Sequence, residues 1–161
     1  MNVSLKESGN KNVFVTVGST QFDELVTQVL HPNTLEILED EGFTHLIVQI
    51  GRGVEPTIPN SRRIKISCYH FKESISSDLE EASLIISHAG AGSCLEALSV
   101  AKPLIVVLEL AEKLHSEGYV FMCYPETLKT ILIEYKSSYL QTFPKSNSLA
   151  FSIYLEKLMG F

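Results

Sequence analysis

The residues of this 161-residue chain with the clearest chemical potential form one short segment, Ser87-His88-Ala89-Gly90-Ala91-Gly92-Ser93. It follows an apolar strand-like run, Leu84-Ile85-Ile86-Ser87, and precedes a helical stretch over Cys94 to Val100. Small residues at such a junction let backbone N–H groups approach an anion, and the start of the helix adds a favourable dipole. The chemistry predicted is therefore binding of a phosphate or diphosphate through Gly90, Ala91, Gly92 and Ser93. Turns of this composition also occur with no ligand, simply because glycine suits a tight corner. His88, beside the loop, is placed to donate a hydrogen bond to a phosphate or sugar oxygen, and it is the one candidate for acid–base work. Glu96, one helical turn past Ser93, offers two acceptor oxygens, enough for both hydroxyls of a ribose.

Gly18-Ser19-Thr20 and Gly51-Arg52-Gly53 are glycine-flanked turns after apolar strands, and Arg52 carries a cation on a short loop. Tyr69 and Phe71 flank His70; core packing is the expected role of these rings, with stacking on a planar base as the alternative. Gly90-Ala91-Gly92-Ser93-Cys94-Leu95 also matches the first two glycines of G-x-G-x-x-G, and Glu109 ends the next strand where a dinucleotide-binding acid belongs. Leu95 occupies the third glycine position, where helix–strand packing requires a small residue, and the motif is not at the first strand. A nicotinamide-dependent oxidoreductase is therefore the lesser reading. Neither Cys68 nor Cys94 has a base beside it, so thiol catalysis lacks support.

These residues need elements to position them. Apolar runs over 13–17, 45–50, 64–68, 84–87, 104–108 and 119–123 read as strands. Helical patterns are expected over 22–29, from Leu35 to Gly42, and over 74–82, 94–100, 109–117, 125–134 and 149–159. Such alternation implies an α/β fold, a Rossmann-like parallel sheet with helices on both faces. Ligands then bind outside the carboxyl ends of the strands, which singles out the loops after Val17, Ile50, Ser87 and Leu108. Residues 1–11 read as a disordered lead-in, and 12–161 as a single domain. The closing helix over 149–159 is amphipathic, suited to packing on its own domain or to docking a partner.

Composition excludes several functions. With 13 Lys and Arg against 19 Asp and Glu, the formal net charge is −6, contrary to the basic stripe of nucleic-acid binders. No apolar run approaches the ~20 residues of a membrane-spanning helix, and the polar N-terminus lacks a signal peptide's apolar stretch. Three cysteines, Cys68, Cys94 and Cys123, are too few and too scattered for a disulfide framework or a zinc site, which suits a reducing cytosolic compartment.

Taken together, Val13-Phe14-Val15-Thr16-Val17-Gly18-Ser19-Thr20, Gln49-Ile50-Gly51-Arg52-Gly53 and the stretch from Leu84 to Glu96 resemble a known family. It comprises the soluble catalytic subunits of the two-subunit UDP-N-acetylglucosamine transferase of dolichol-linked oligosaccharide synthesis, similar to the donor-binding half of GT-B glycosyltransferases. The resemblance implies that the Gly90–Ser93 loop holds the UDP diphosphate and Glu96 the uridine ribose. It implies that Gly18-Ser19-Thr20 line a cleft facing a membrane-anchored partner subunit, which supplies the acceptor half and attachment to the cytosolic face of the endoplasmic reticulum. The implied reaction moves GlcNAc from UDP-GlcNAc to dolichyl-diphosphate-GlcNAc, with no cofactor and no metal. One departure stands out: the family carries an extended donor-holding loop after the strand ending at Leu108, whereas here Leu108-Glu109-Leu110-Ala111-Glu112 leaves scarcely room for a loop. A shortened loop would remove contacts to the donor sugar, and the competing expectation is a weakly active or inactive, partner-binding regulatory form.

Overall fold

A computed structural model of the chain describes residues 9–61, 63–88, 90–107, 115–116, 118–135, 140 and 153. Six strands are described: β1 (Asn12–Thr16), β2 (His45–Gln49), β3 (Lys65–Tyr69), β4 (Ala82–His88), β5 (Leu104–Val107) and β6 (Phe121–Cys123). They form one sheet in the order β3-β2-β1-β4-β5-β6, and every pairing is parallel. The helices are α1 (Asp23–Val29), α2 (Pro32–Asp40), α3 (Ser76–Glu81), α4 (Ala91–Ser99) and α5 (Leu128–Glu134), the last preceded by a 3₁₀ turn at Pro125–Thr127. The expected Rossmann-like α/β architecture is thus the one observed.

Strand alternation builds two cores. Val13 and Val15 face one cluster with Leu25, Val26 and Val29 of α1, Leu35 and Leu38 of α2, and Leu128 and Leu132 of α5. Phe14 and Ile85 face the other, with Leu79 of α3 and Ala97 and Leu98 of α4. Both faces of the inner strands are therefore apolar, which is why these strands read as continuous hydrophobic runs. Burial on two sides also fixes register, since a one-residue slip would exchange the two clusters.

Several boundaries differ from expectation for local physical reasons. The His31-Pro32-Asn33 stretch begins a helix: the His31 Nδ1 accepts the Asn33 N–H at 3.2 Å, and Pro32 takes the first helical position, where its missing N–H costs nothing. Ala82 opens β4 where a helix end was expected, because α3 passes directly into the strand. Helix α4 starts at Ala91, three residues before Cys94, so the small residues of the loop form its first turn. Lys11 is not part of a disordered lead-in: its N–H donates to Thr44 Oγ1 at 3.1 Å and its Nζ to the Glu41 carbonyl at 2.7 Å, 4.1 Å from the Phe43 ring centre. The expected helices over 109–117 and 149–159, Glu109 and the shortened junction after Leu108 fall largely or wholly outside the described residues, as do residues 1–8.

Candidate functional site

In the order β3-β2-β1-β4-β5-β6 the chain reverses direction across the sheet between β1 and β4. The loops leaving those two strands diverge to opposite sides, opening a crevice at their carboxyl ends where ligands of such sheets bind. A cavity of about 490 Å³ lies at this point. Gly18 and Ser19 after β1, Gly92, Ser93 and Glu96 of α4, and Gln49 at the end of β2 all line it.

The two principal walls touch. A Cβ added to Gly18 would lie 2.9 Å from Ser93 Oγ and 3.0 Å from His88 Cε1, so the absence of a side chain there permits the approach. Gly18 also has φ +61°, in the left-handed region that favours glycine. Gly90 has the same packing role beneath it, its position lying against the His88 ring. The turn into α4 is tied from below, with the Ser87 hydroxyl donating to the His88 carbonyl at 2.9 Å and the Cys94 thiol reaching the same oxygen at 3.6 Å. Gly90 at the N-cap provides no capping side chain. The first turn of α4 thus has no side-chain cap among the described residues, and its Gly92 and Ser93 line the cavity, an arrangement that suits a bound anion.

Of the third wall, the sequence offered only Phe71, through the alternative of stacking on a planar base. Phe71, Lys72 and Ser74 from the β3–α3 connection line the cavity with Ile75, Leu79 and Glu80. Phe71 is 55% exposed, which excludes the core role expected for it, whereas Tyr69 packs on the α3–α4 cluster as expected. A buried carboxylate fixes this wall: Asp78 accepts the Tyr69 hydroxyl at 2.7 Å and the Lys72 ammonium at 2.8 and 3.1 Å. The Lys72 Nζ stands 4.3 Å from the Tyr69 ring centre. Burial, reinforced by the Asp78 carboxylate, raises the Tyr69 pKa and keeps the phenol a donor. Asp78→Ala is expected to cost about 1–3 kcal/mol by stranding the Tyr69 hydroxyl. Asp78→Asn keeps an acceptor and should lose less; urea denaturation of the two variants checks the order.

The remaining candidates are placed away from the cavity lining. Thr20 and Arg52 are exposed, and their backbones clasp each other, the Arg52 N–H donating to the Thr20 carbonyl at 2.8 Å. Gly51-Arg52-Gly53 thus buttresses the Gly18–Thr20 turn and does not line the cavity. His88 is 9% exposed, beneath the α4 turn, and its buried Nδ1 has no hydrogen-bond partner among the described residues. Burial lowers its pKa, opposed by the backbone of Thr16, so the ring is neutral at physiological pH. Burial also raises the thiols of Cys68 to about 11 and of Cys94 and Cys123 to about 12, leaving all three protonated. Among the described residues no three His, Cys, Asp or Glu side chains gather as a metal site, and no helix is long and apolar enough to cross a membrane. Of the residues that sequence reasoning did not name as candidates, Gln49 left the clearest trace: it is a polar residue directly after the apolar run Leu46-Ile47-Val48.

Comparison with known proteins agrees with this architecture. The chain is 47% identical over 124 residues to the UDP-N-acetylglucosamine transferase subunit ALG13 of Mus musculus, and to that of Homo sapiens. Each match covers 70% of this chain, and the chain spans only 11% of the length of either relative. An NMR solution structure of ALG13 superimposes with a TM-score of 0.71 at 27% identity, covering 91% of this chain and 95% of that one. The calicheamicin glycosyltransferase CalG4, at 18% identity and a TM-score of 0.60, shares the fold over 94% of this chain and 37% of its own. Residues 12–117 match the model of the glycosyltransferase family 28 C-terminal domain, and with the crevice between β1 and β4 they make this chain a member of that family.

Proposed function

We propose that this chain is the donor-binding subunit of a glycosyltransferase that moves GlcNAc from UDP-GlcNAc to dolichyl-diphosphate-GlcNAc. The observation that carries the reading is the cavity where Gly18 and Ser19 meet the uncapped start of α4, with Glu96 one turn further along its wall. The N–H groups of Gly92 and Ser93 and the small residues Gly90 and Ala91 receive the diphosphate. Fixed dipoles aimed at charge that develops as UDP departs stabilise that departure without reorganising. Glu96 accepts the ribose hydroxyls. Phe71, exposed on the wall formed by the β3–α3 connection, offers a ring face to the base. The relatives' description as a UDP-N-acetylglucosamine transferase subunit supports the choice of donor.

A subunit of this kind needs a companion. The reading assigns the acceptor site and the attachment to the cytosolic face of the endoplasmic reticulum to a membrane-anchored partner, and assigns no metal or cofactor to the donor site. Gly18, Ser19 and Thr20, at the carboxyl edge of the sheet, face the partner. His88, buried and neutral, acts as a donor beneath the loop, and the base for the acceptor hydroxyl comes from outside this chain.

Thermal denaturation with nucleotides tests the reading. UDP-GlcNAc at 100 times its dissociation constant should add about 2.7 kcal/mol, raising the melting temperature by about 5–10 °C in a chain of this size. Glycosyl transfer to a dolichyl-diphosphate-GlcNAc analogue should appear only when the partner is added. Protection by NADH in place of UDP-GlcNAc, or none by UDP-GlcNAc with the partner present, would overturn it.

A further inference from the structure

Beneath the cavity, at the carboxyl ends of β1 and β2, lies a short polar chain in otherwise apolar surroundings. The Gly18 N–H donates to Thr16 Oγ1 at 3.0 Å, and the Thr16 hydroxyl donates to Gln49 Oε1 at 2.5 Å. Thr16 is fully buried and Gln49 is 6% exposed. The Gly18 N–H occupies one lone pair of the Thr16 hydroxyl, and the single hydroxyl proton is directed to the Gln49 oxygen. Gln49 is thereby fixed with its oxygen toward β1. Its Nε2 has no acceptor among the described residues, yet Gln49 lines the cavity. Strand alternation explains the direction: Leu46, Val48 and Ile50 enter the α1–α2 cluster, so Gln49 projects to the opposite face, toward α3 and α4.

We propose that the Gln49 side-chain amide is a ligand-binding donor, its Nε2 hydrogen-bonding an acceptor oxygen of the bound nucleotide. The inference rests on reading this cavity as the nucleotide-sugar site. An amide whose oxygen is locked by a neighbour and whose nitrogen is turned into a cavity is preorganised, so little freedom is lost when the ligand arrives. It is also selective, because a ligand presenting a donor there would face two N–H groups. The acceptor belongs either to the nucleoside or to the phosphates, and the amide recognises both in the same way.

Two isosteric variants separate the donor from the shape it occupies. Gln49→Glu keeps an acceptor for Thr16 and replaces the NH₂ by oxygen; Gln49→Met is neutral and has no donor. Calorimetric titration of each folded chain with UDP, UMP and uridine should show Kd for UDP raised by roughly tenfold or more in both. A loss shared with uridine places the acceptor on the nucleoside, and one confined to the phosphorylated ligands places it on the phosphates. In the unmodified chain, the side-chain amide resonances of Gln49 should shift on adding UDP, a readout independent of any variant's folding. UDP binding to the unmodified chain without such a shift, or with Gln49→Met at full affinity, would overturn the role of Gln49 and leave the site intact. Failure of the unmodified chain to bind UDP would overturn the reading of the site itself.

Discussion

Glu96→Ala is expected to weaken UDP binding by roughly 10–100-fold, the loss typical of hydrogen bonds made to a charged group. Glu96 is exposed on α4 and lines the cavity one turn beyond Ser93. Its carboxylate presents two acceptor oxygens at the spacing of two adjacent hydroxyls, a match that a single amide oxygen cannot reproduce. Glu96→Gln should therefore show an intermediate loss. Because the side chain is exposed, neither substitution should change stability by more than about 0.5 kcal/mol. The ribose assignment has its own control: 2′-deoxy-UDP already lacks one partner, so its affinity should respond less to Glu96→Ala than that of UDP. Calorimetry on both ligands decides the matter, and equal losses for the two would remove the ribose from Glu96.

Gly51→Ala should produce the largest loss of stability of any single methyl addition among the described glycines. Gly51 has φ +56° and stands where the turn after β2 passes under the turn after β1. An added Cβ would overlap the Thr20 carbonyl oxygen and lie 2.7 Å from that of Gly18. Both obstacles are backbone, so relief requires moving the Gly18–Thr20 turn, which the Arg52 N–H also holds by its bond to the Thr20 carbonyl. The left-handed conformation costs a side chain roughly 1–2 kcal/mol, and overpacking adds about 1–3, giving an expected loss of about 2–5 kcal/mol. Gly42→Ala is the matched control, with φ +81° and no atom within 4 Å of the new methyl. It carries the conformational cost alone. Urea unfolding of both variants isolates the steric part, and equal losses would show that the two turns are not clasped. Since Gly18 lines the cavity, Gly51→Ala should also weaken UDP binding in whatever fraction remains folded.

The sequence made the architecture legible because both faces of the inner strands are covered. Val13-Phe14-Val15 and Leu84-Ile85-Ile86 cannot satisfy two clusters at once in any arrangement other than a sheet sandwiched by helices. Small residues at a strand-to-helix junction likewise pointed to the turn into α4, whose Gly92 and Ser93 line the cavity, since such residues are the local requirement for close backbone approach. Local pattern was a poorer guide to element ends. The His31-Pro32-Asn33 stretch reads as a break, yet proline at the first helical position and a histidine cap are starting signals. Ala82 and Cys94 were misplaced because apolar runs continue through a helix–strand junction and a loop of small residues can form a helical first turn.

Residue types and their spacing alone determined a parallel α/β sheet and marked the small-residue turn that opens α4. Tertiary structure decided which loops meet. Gln49, Phe71 and Lys72 join Gly18 and Ser93 around one cavity, while Arg52 becomes a buttress and His88 a buried ring. The reason is physical: a strand's own pattern reports which of its faces are covered, whereas strand order is set by long-range packing. The crevice between β1 and β4 exists only in that order.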